Sequence, residues 1–167
     1  MGVLVKVLSL SMSPFPESSP YFLTSSADAI IAKHPLPNPK PPPSAPLELV
    51  PIKIVNTKHS GQQSITVRSD GRIFATAGWD SRIRVYSAKT MKELAVLKWH
   101  REGCYAVAFG NVLGGNEGGW GGSSNEGVGG GEGGIVTVEE GRRDKVRASH
   151  WVVGGAKDGK VSLWEIY

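Results

Sequence analysis

The sequence predicts an all-β chain of about three four-stranded sheets in series, the last without its outer strand, and three observations predict it. Six residues after each of three Asp residues stands an imidazole or aromatic side chain: Asp28 to His34, Asp80 to Tyr86 and Asp158 to Trp164. Around each pair the same order recurs, a strand with small residues, a turn carrying the Asp and a second strand: YFLTSSADAIIAKH, IFATAGWDSRIRVY and WVVGGAKDGKVSLW. No segment has a convincing helical period, whereas short runs rich in Val, Ile and aromatics are punctuated by turn residues. Repetition at fixed spacing marks an architecture in which one unit cannot bury its apolar face alone and neighbours must cover it.

The first unit spans 3–58. Val7 to Met12 alternates apolar residues with serine at the period of a strand. Tyr21 to Ser25 and Ala29 to Lys33 flank the first Asp turn, and Ile52 to Thr57 resumes strand-like sequence after a proline-rich insertion at 35–46. All eleven prolines fall between Pro14 and Pro51. A run such as HPLPNPKPPPSAP cannot donate ladder hydrogen bonds and favours an extended, solvated linker, here interrupting a unit rather than separating domains. The second unit spans 59–99, with strands at Ser64 to Arg68, Ile73 to Ala77, Ile83 to Ser87 and Leu94 to Lys98; Ser69, Asp70 and Gly71 form the turn between the first two. The third spans 100–167, with strands at Tyr105 to Phe109, Trp151 to Gly155 and Val161 to Glu165. Twelve of the 24 residues in 111–134 are glycine. Such a segment buries too little apolar surface to offset chain entropy, so a disordered insertion is expected there.

Composition limits the function classes. The chain has 167 residues, 40% of them hydrophobic and 20% charged, as expected of one soluble globular domain. The net charge of +4 is mild, and the basic cluster Arg142, Arg143, Lys145 and Arg147 reads as a solvated surface rather than a nucleic-acid site. Cys104, the single cysteine, can form no internal disulfide and no zinc site by itself, which suits a reducing compartment. The amino-terminal apolar run is broken by Lys6 and lacks a small-residue cleavage site, and Lys6 stands where a myristoylation motif wants Ser or Thr. No run is long enough to span a bilayer as a helix. An intracellular, soluble protein is expected.

With the GWD, RVY and SLW strand signatures in place, the chain resembles the WD-repeat family, whose four-stranded units are the blades of a β-propeller. The resemblance implies a partial WD40-type propeller and, within each blade, a hydrogen-bonded set of His, Ser or Thr, Asp and Trp. A buried carboxylate must be paired, so such a set makes physical sense. In the second blade it would comprise His59, Thr76, Asp80 and Tyr86, the phenol standing in as donor for Trp. The third supplies His100, Asp158 and Trp164 but has Gly154 where the hydroxyl belongs; the first supplies Thr24 and Asp28, with His34 in place of Trp. His59 precedes Asp80 by 21 residues and His100 precedes Asp158 by 58, the difference being the glycine-rich insertion with its flanks. The stretch from KHSGQQSITV to CYAVAF and the terminal HWVVGGAKDGKVSLWEIY further resemble the carboxy-terminal blades of fungal ASTRA-associated WD-repeat proteins. That resemblance implies a nuclear, non-catalytic scaffold subunit, with a cytoplasmic pool allowed, acting in chromatin regulation and the biogenesis of kinase-related proteins. Its implied partners are co-chaperone subunits, RuvB-like ATPases and a kinase-related giant protein. A substrate-recruiting receptor of a ubiquitin ligase, or another WD-repeat signalling scaffold, is the alternative.

Catalytic readings are weak. His59, Ser64 and Asp70 have ordinary strand and turn roles; His100 and Cys104 are half a metal site with no second pair; Gly129, Gly131 and Gly134 match a dinucleotide motif only as any glycine-rich tract would. No catalysis, cofactor, metal or small-molecule substrate is expected. Trp79 is different. It precedes Asp80 in a turn, where a large aromatic often faces solvent, and Trp is enriched at binding hot spots; packing against a neighbouring blade is the alternative. Lys157, Gln62, Gln63, Arg101 and Glu102 are expected to line the same rim and contact a partner.

Overall fold

The computed structural model describes residues 6–13, 20–36, 50–59, 61–110 and 150–166. The expected glycine-rich segment at 111–134, the basic cluster at 142–147 and most of the proline-rich segment lie outside these residues. Pro35 lies inside them and is not part of an insertion: it is the last residue of a strand and pairs with Tyr21.

Eleven strands and no helix occur among the described residues: β1 (Val7–Met12), β2 (Tyr21–Ser26), β3 (Ile30–Pro35), β4 (Lys53–Asn56), β5 (Gln62–Val67), β6 (Ile73–Gly78), β7 (Arg82–Ser87), β8 (Glu93–Lys98), β9 (Cys104–Phe109), β10 (His150–Ala156) and β11 (Val161–Ile166). They form three antiparallel sheets, ordered β1-β2-β3-β4, β5-β6-β7-β8 and β9-β10-β11. The expected strand centres hold and the ends move by one or two residues. The end of β3 and the start of β5 each move by two; β5 begins at Gln62 because a register shift between Gln62 and Ser64 lets Gln62 still pair with Gly78.

The local rules repeat. A register irregularity falls at the start of each first strand, between Val7 and Ser9, between Gln62 and Ser64, and where Cys104 and Ala106 meet Ala156 and Gly155. The residue after each repeat Asp has a positive φ: 70° at Ala29, 65° at Ser81 and 73° at Gly159. A left-handed residue at this point closes a tight hairpin whose twist matches its strands. Among the three, only Gly159 adopts it without steric cost.

Alternation along the strands places the core. On β6, Phe74 and Thr76 point to one side, Ala75 and Ala77 to the other, and all four are buried. The first face packs on the first sheet through Tyr21, Leu23, Ile31, Ile65, Phe74, Tyr86, Ala88 and Met91, with Phe74 and Tyr86 stacked at 5.0 Å. The second packs on the third sheet through Ala75, Ala77, Ile83, Val85, Cys104, Val107 and Val152. The middle sheet is therefore covered on both faces, and its inner strand β6, IFATAG, carries small or apolar residues on both sides. Polar ties reinforce the first seam. Lys33 stands 3.8 Å over the Tyr21 ring and donates to the Ala88 carbonyl at 3.0 Å, while Tyr21 donates to the Gly71 carbonyl at 3.3 Å. The first strands adjoin one another as well. Ile65 N–H donates to Ser9 Oγ at 3.3 Å and Val67 N–H to Ser11 Oγ at 3.1 Å, so serines of β1 satisfy amides on the unpaired edge of β5.

Gly154 is required by the second seam. A Cβ there would lie 1.9 Å from Ile83 Cδ1, which is fully buried. Gly154→Ala is expected to destabilise the fold by about 1–3 kcal/mol through overpacking. Ile83→Ala is destabilising by itself, by about 2–5 kcal/mol, but the double variant should lose less than the sum of the two, giving a favourable coupling in a double-mutant cycle read from urea midpoints.

Candidate interaction face

The β6–β7 turn carries Trp79 into solvent with 46% of its surface exposed. Its orientation is fixed from below and from the side. Gly61, at φ +71°, lies under the indole so closely that a Cβ would sit 2.0 Å from the ring. Trp79 N–H donates to the Gly61 carbonyl at 2.9 Å, and the indole Nε1–H donates to Gln63 Oε1 at 2.9 Å. The ring is thus presented as a rigid platform with its polar edge already satisfied. Neighbouring turns are tied to it: Ser81 Oγ donates to the Arg101 carbonyl at 3.1 Å and Lys157 N–H to the Gly103 carbonyl at 2.9 Å. Arg101, Glu102 and Lys157 are exposed beside this junction. Gln62 is not on the rim. It is completely buried, receiving the Thr76 hydroxyl proton at 2.7 Å and donating to the His59 carbonyl at 2.9 Å.

The polar sets inside the sheets differ from the expected ones. In the second sheet Asp80 is held by the Arg84 guanidinium through two bonds of 3.0 and 2.6 Å, while His59 Nδ1 stands 3.5 Å from the same carboxylate. Thr76 serves Gln62 rather than joining His59 and Asp80. Tyr86 lies near Thr76 without a hydrogen bond of normal geometry; burial pushes its hydroxyl up to about 12, and its ring packs on Phe74. In the third sheet His100 does not meet Asp158: its Nε2 pairs with Ser162 Oγ at 2.8 Å, both residues buried. Asp158 accepts instead from the Lys160 amide at 3.1 Å, and Trp164 Nε1 is buried without a hydrogen bond. In the first sheet Thr24 and His34 approach to 3.3 Å, but Asp28 bonds to the Ser26 hydroxyl and the Ile30 amide. Asp28 and Asp158 therefore close their own turns through the amide two residues on; Asp80 alone of the three is clamped by a guanidinium.

Arg84 and Ser162 were not singled out by sequence reasoning, yet both stand four residues after a repeat Asp and two before its aromatic, on the same strand face. That periodicity was the available signal. The first sheet has Ala32 there and no such bond. Asp70 is tied to Arg68 by bonds of 3.0 and 2.6 Å and caps the Arg72 amide at 3.0 Å. Burial and the nearby Asp80 and Asp158 charges push the buried Cys104 thiol up to about 11, away from thiolate chemistry. Among the described residues no group of three or more His, Cys, Asp or Glu side chains is placed to hold a metal.

Stacked antiparallel sheets with a repeated Asp hairpin define a propeller-type fold. Residues 51–87 match the model of the WD domain, G-beta repeat. The chain is 52% identical over 96% of its length to ASTRA-associated protein 1 of Aspergillus niger, of which it covers 39%. It is also 55% identical over 64% of its length to the guanine nucleotide-binding protein subunit beta-like protein 1 of Mus musculus, of which it covers 22%. Among solved structures, that of U3-55K superposes on 99% of the chain with a TM-score of 0.63 at 13% identity, a likeness of fold, covering 38% of that protein. The chain thus spans well under half the length of the curated relatives it matches.

The Asp80–Arg84 pair sets a pH dependence. Burial raises the Asp80 carboxyl, but the Arg84 bonds and charge outweigh this and hold it below its ordinary value of 3.8. A carboxyl depressed by folding stabilises above its unfolded pKa, and that contribution is lost as pH falls through the folded value. Urea unfolding at about pH 6 and about pH 3 should show the loss, and Asp80→Asn should shrink the difference. At neutral pH Asp80→Asn is expected to cost about 2 kcal/mol, less than breaking a fully buried pair because solvent reaches the carboxylate. Ser162→Ala, which leaves His100 without its partner, should cost about 1–3 kcal/mol in the same assay.

Proposed function

We propose that the chain is the partner-docking part of a non-catalytic scaffold subunit of an ASTRA-like complex, acting in the nucleus in chromatin regulation and the biogenesis of kinase-related proteins. Residues 3–58, 59–99 and 100–167 are its blades. A WD-repeat scaffold is supported by the fold and by the match of residues 51–87 to the WD domain model; the particular complex rests on the high identity to ASTRA-associated proteins over nearly the whole chain. The observation that carries the docking role is the Trp79 platform, an aromatic held flat and outward by Gly61 and Gln63, with no role in either core cluster. Antiparallel topology places the β3–β4 and β9–β10 connections at the opposite ends of their sheets. The partners proposed are co-chaperone subunits, RuvB-like ATPases and a kinase-related giant protein.

Affinity capture from native cells is the test. The tagged protein is expected to recover these partners, and Trp79→Ala to reduce recovery about thirtyfold or more while leaving the melting temperature unchanged, as removal of a hot-spot aromatic does. Capture of cullin adaptors in their place would overturn this assignment in favour of a ubiquitin-ligase receptor.

A further inference from the structure

A second surface lies on the outer half of the middle sheet. His59, Asp80, Arg82, Arg84, Glu93, Val96 and Lys98 line an open groove of about 360 Å³, from which Trp79 is absent. Register places Arg82 directly opposite Lys98 on adjacent strands. Like charges in that arrangement repel and destabilise the pair, and nothing in the groove is bonded to the Lys98 ammonium. Arg84 forms the floor. It is only 3% exposed, and its fork is consumed by Asp80. Its Nε–H makes no hydrogen bond, the nearest carboxylate being Glu93 at 3.4 Å. Asp80 and Arg84 cancel, so the remaining charge is Arg82 and Lys98 against Glu93, which is half exposed and leans towards Arg84 at 3.4 Å.

We propose that this groove binds an acidic segment of a partner polypeptide, its carboxylates bridging Arg82 and Lys98. Carboxylates fit better than one phosphoryl group. Bidentate phosphate recognition needs an open guanidinium fork aimed into the site, and the fork on the groove floor is occupied. Separate cations spread along a groove match several spaced carboxylates. The groove supplies charge steering, which complements an aromatic anchor elsewhere on the molecule.

The probe is a fluorescein-labelled peptide of alternating Asp, Glu and Gly, titrated with the purified chain and read by anisotropy. Saturable binding that weakens with added salt is expected. Arg82→Glu and Lys98→Glu should each lower affinity by about tenfold, as loss of a charge-assisted contact does. Lys89→Glu, a control at an exposed lysine in the β7–β8 turn outside the groove, should not. Both groove substitutions are at side chains open to solvent, and an unchanged circular dichroism melt verifies folding. Absence of binding at low salt would overturn the proposal. So would an equal loss with Lys89→Glu, which would mean unspecific attraction, or a preference of tenfold or more for a phosphoserine form of the peptide, which would mean a phosphate site. The peptide assay reads only the groove, whereas complex capture with Trp79→Ala reads the platform, so either can fail without the other.

Discussion

Face-to-face burial of sheets is the constraint on which this molecule depends. No sheet here has a core of its own: Phe74 and Tyr86 are covered only because Leu23 and Ile31 lie across from them, and Ile83 only because Val107 and Val152 do. A single antiparallel sheet with two apolar faces has no stable state in water. Stacking makes each strand's alternation useful on both sides. It also explains Gly154, whose missing side chain is the space that the neighbour's Ile83 fills.

The polar groups follow from that arrangement rather than causing it. Once the middle sheet is covered, every buried donor and acceptor needs a partner. Arg84, Gln62, His100 and Ser162 each find a partner for part of their polar groups, in pairs that differ between the sheets, while Arg84 Nε and His100 Nδ1 stay without a hydrogen bond. One repeat Asp neutralises a buried guanidinium; the other two close their hairpins. A repeated sequence position has therefore taken on different jobs while keeping one backbone geometry, the left-handed residue that follows it.

Most of the fold was legible because it depends on local signals. Alternating residues, turn residues and the spacing from Asp to aromatic are all contained within one hairpin. The sheet order and strand centres could be read from them. The side-chain bonds were not legible in the same way, because they depend on which residue four places beyond the Asp reaches across, and on how far burial extends. Gln62 illustrates the limit. A polar residue beside a turn reads as surface, yet the register irregularity before Ser64 carries it inward beneath Thr76. Trp79 was readable from its turn, whereas the Gly61 that shapes its resting place became meaningful only with the ring lying on it. The charged groove was missed because Arg82 and Lys98 become neighbours only when β7 and β8 pair.

The way β1 meets β5 has a mechanical consequence. Their contact is made by two serine hydroxyls accepting from backbone amides, not by a continuous ladder of main-chain bonds. Each stitch joins a side chain of one sheet to an amide on the other's unpaired edge, so either can be removed without breaking a ladder bond in either sheet. The seam is thus aligned by groups that belong to neither sheet's own pairing.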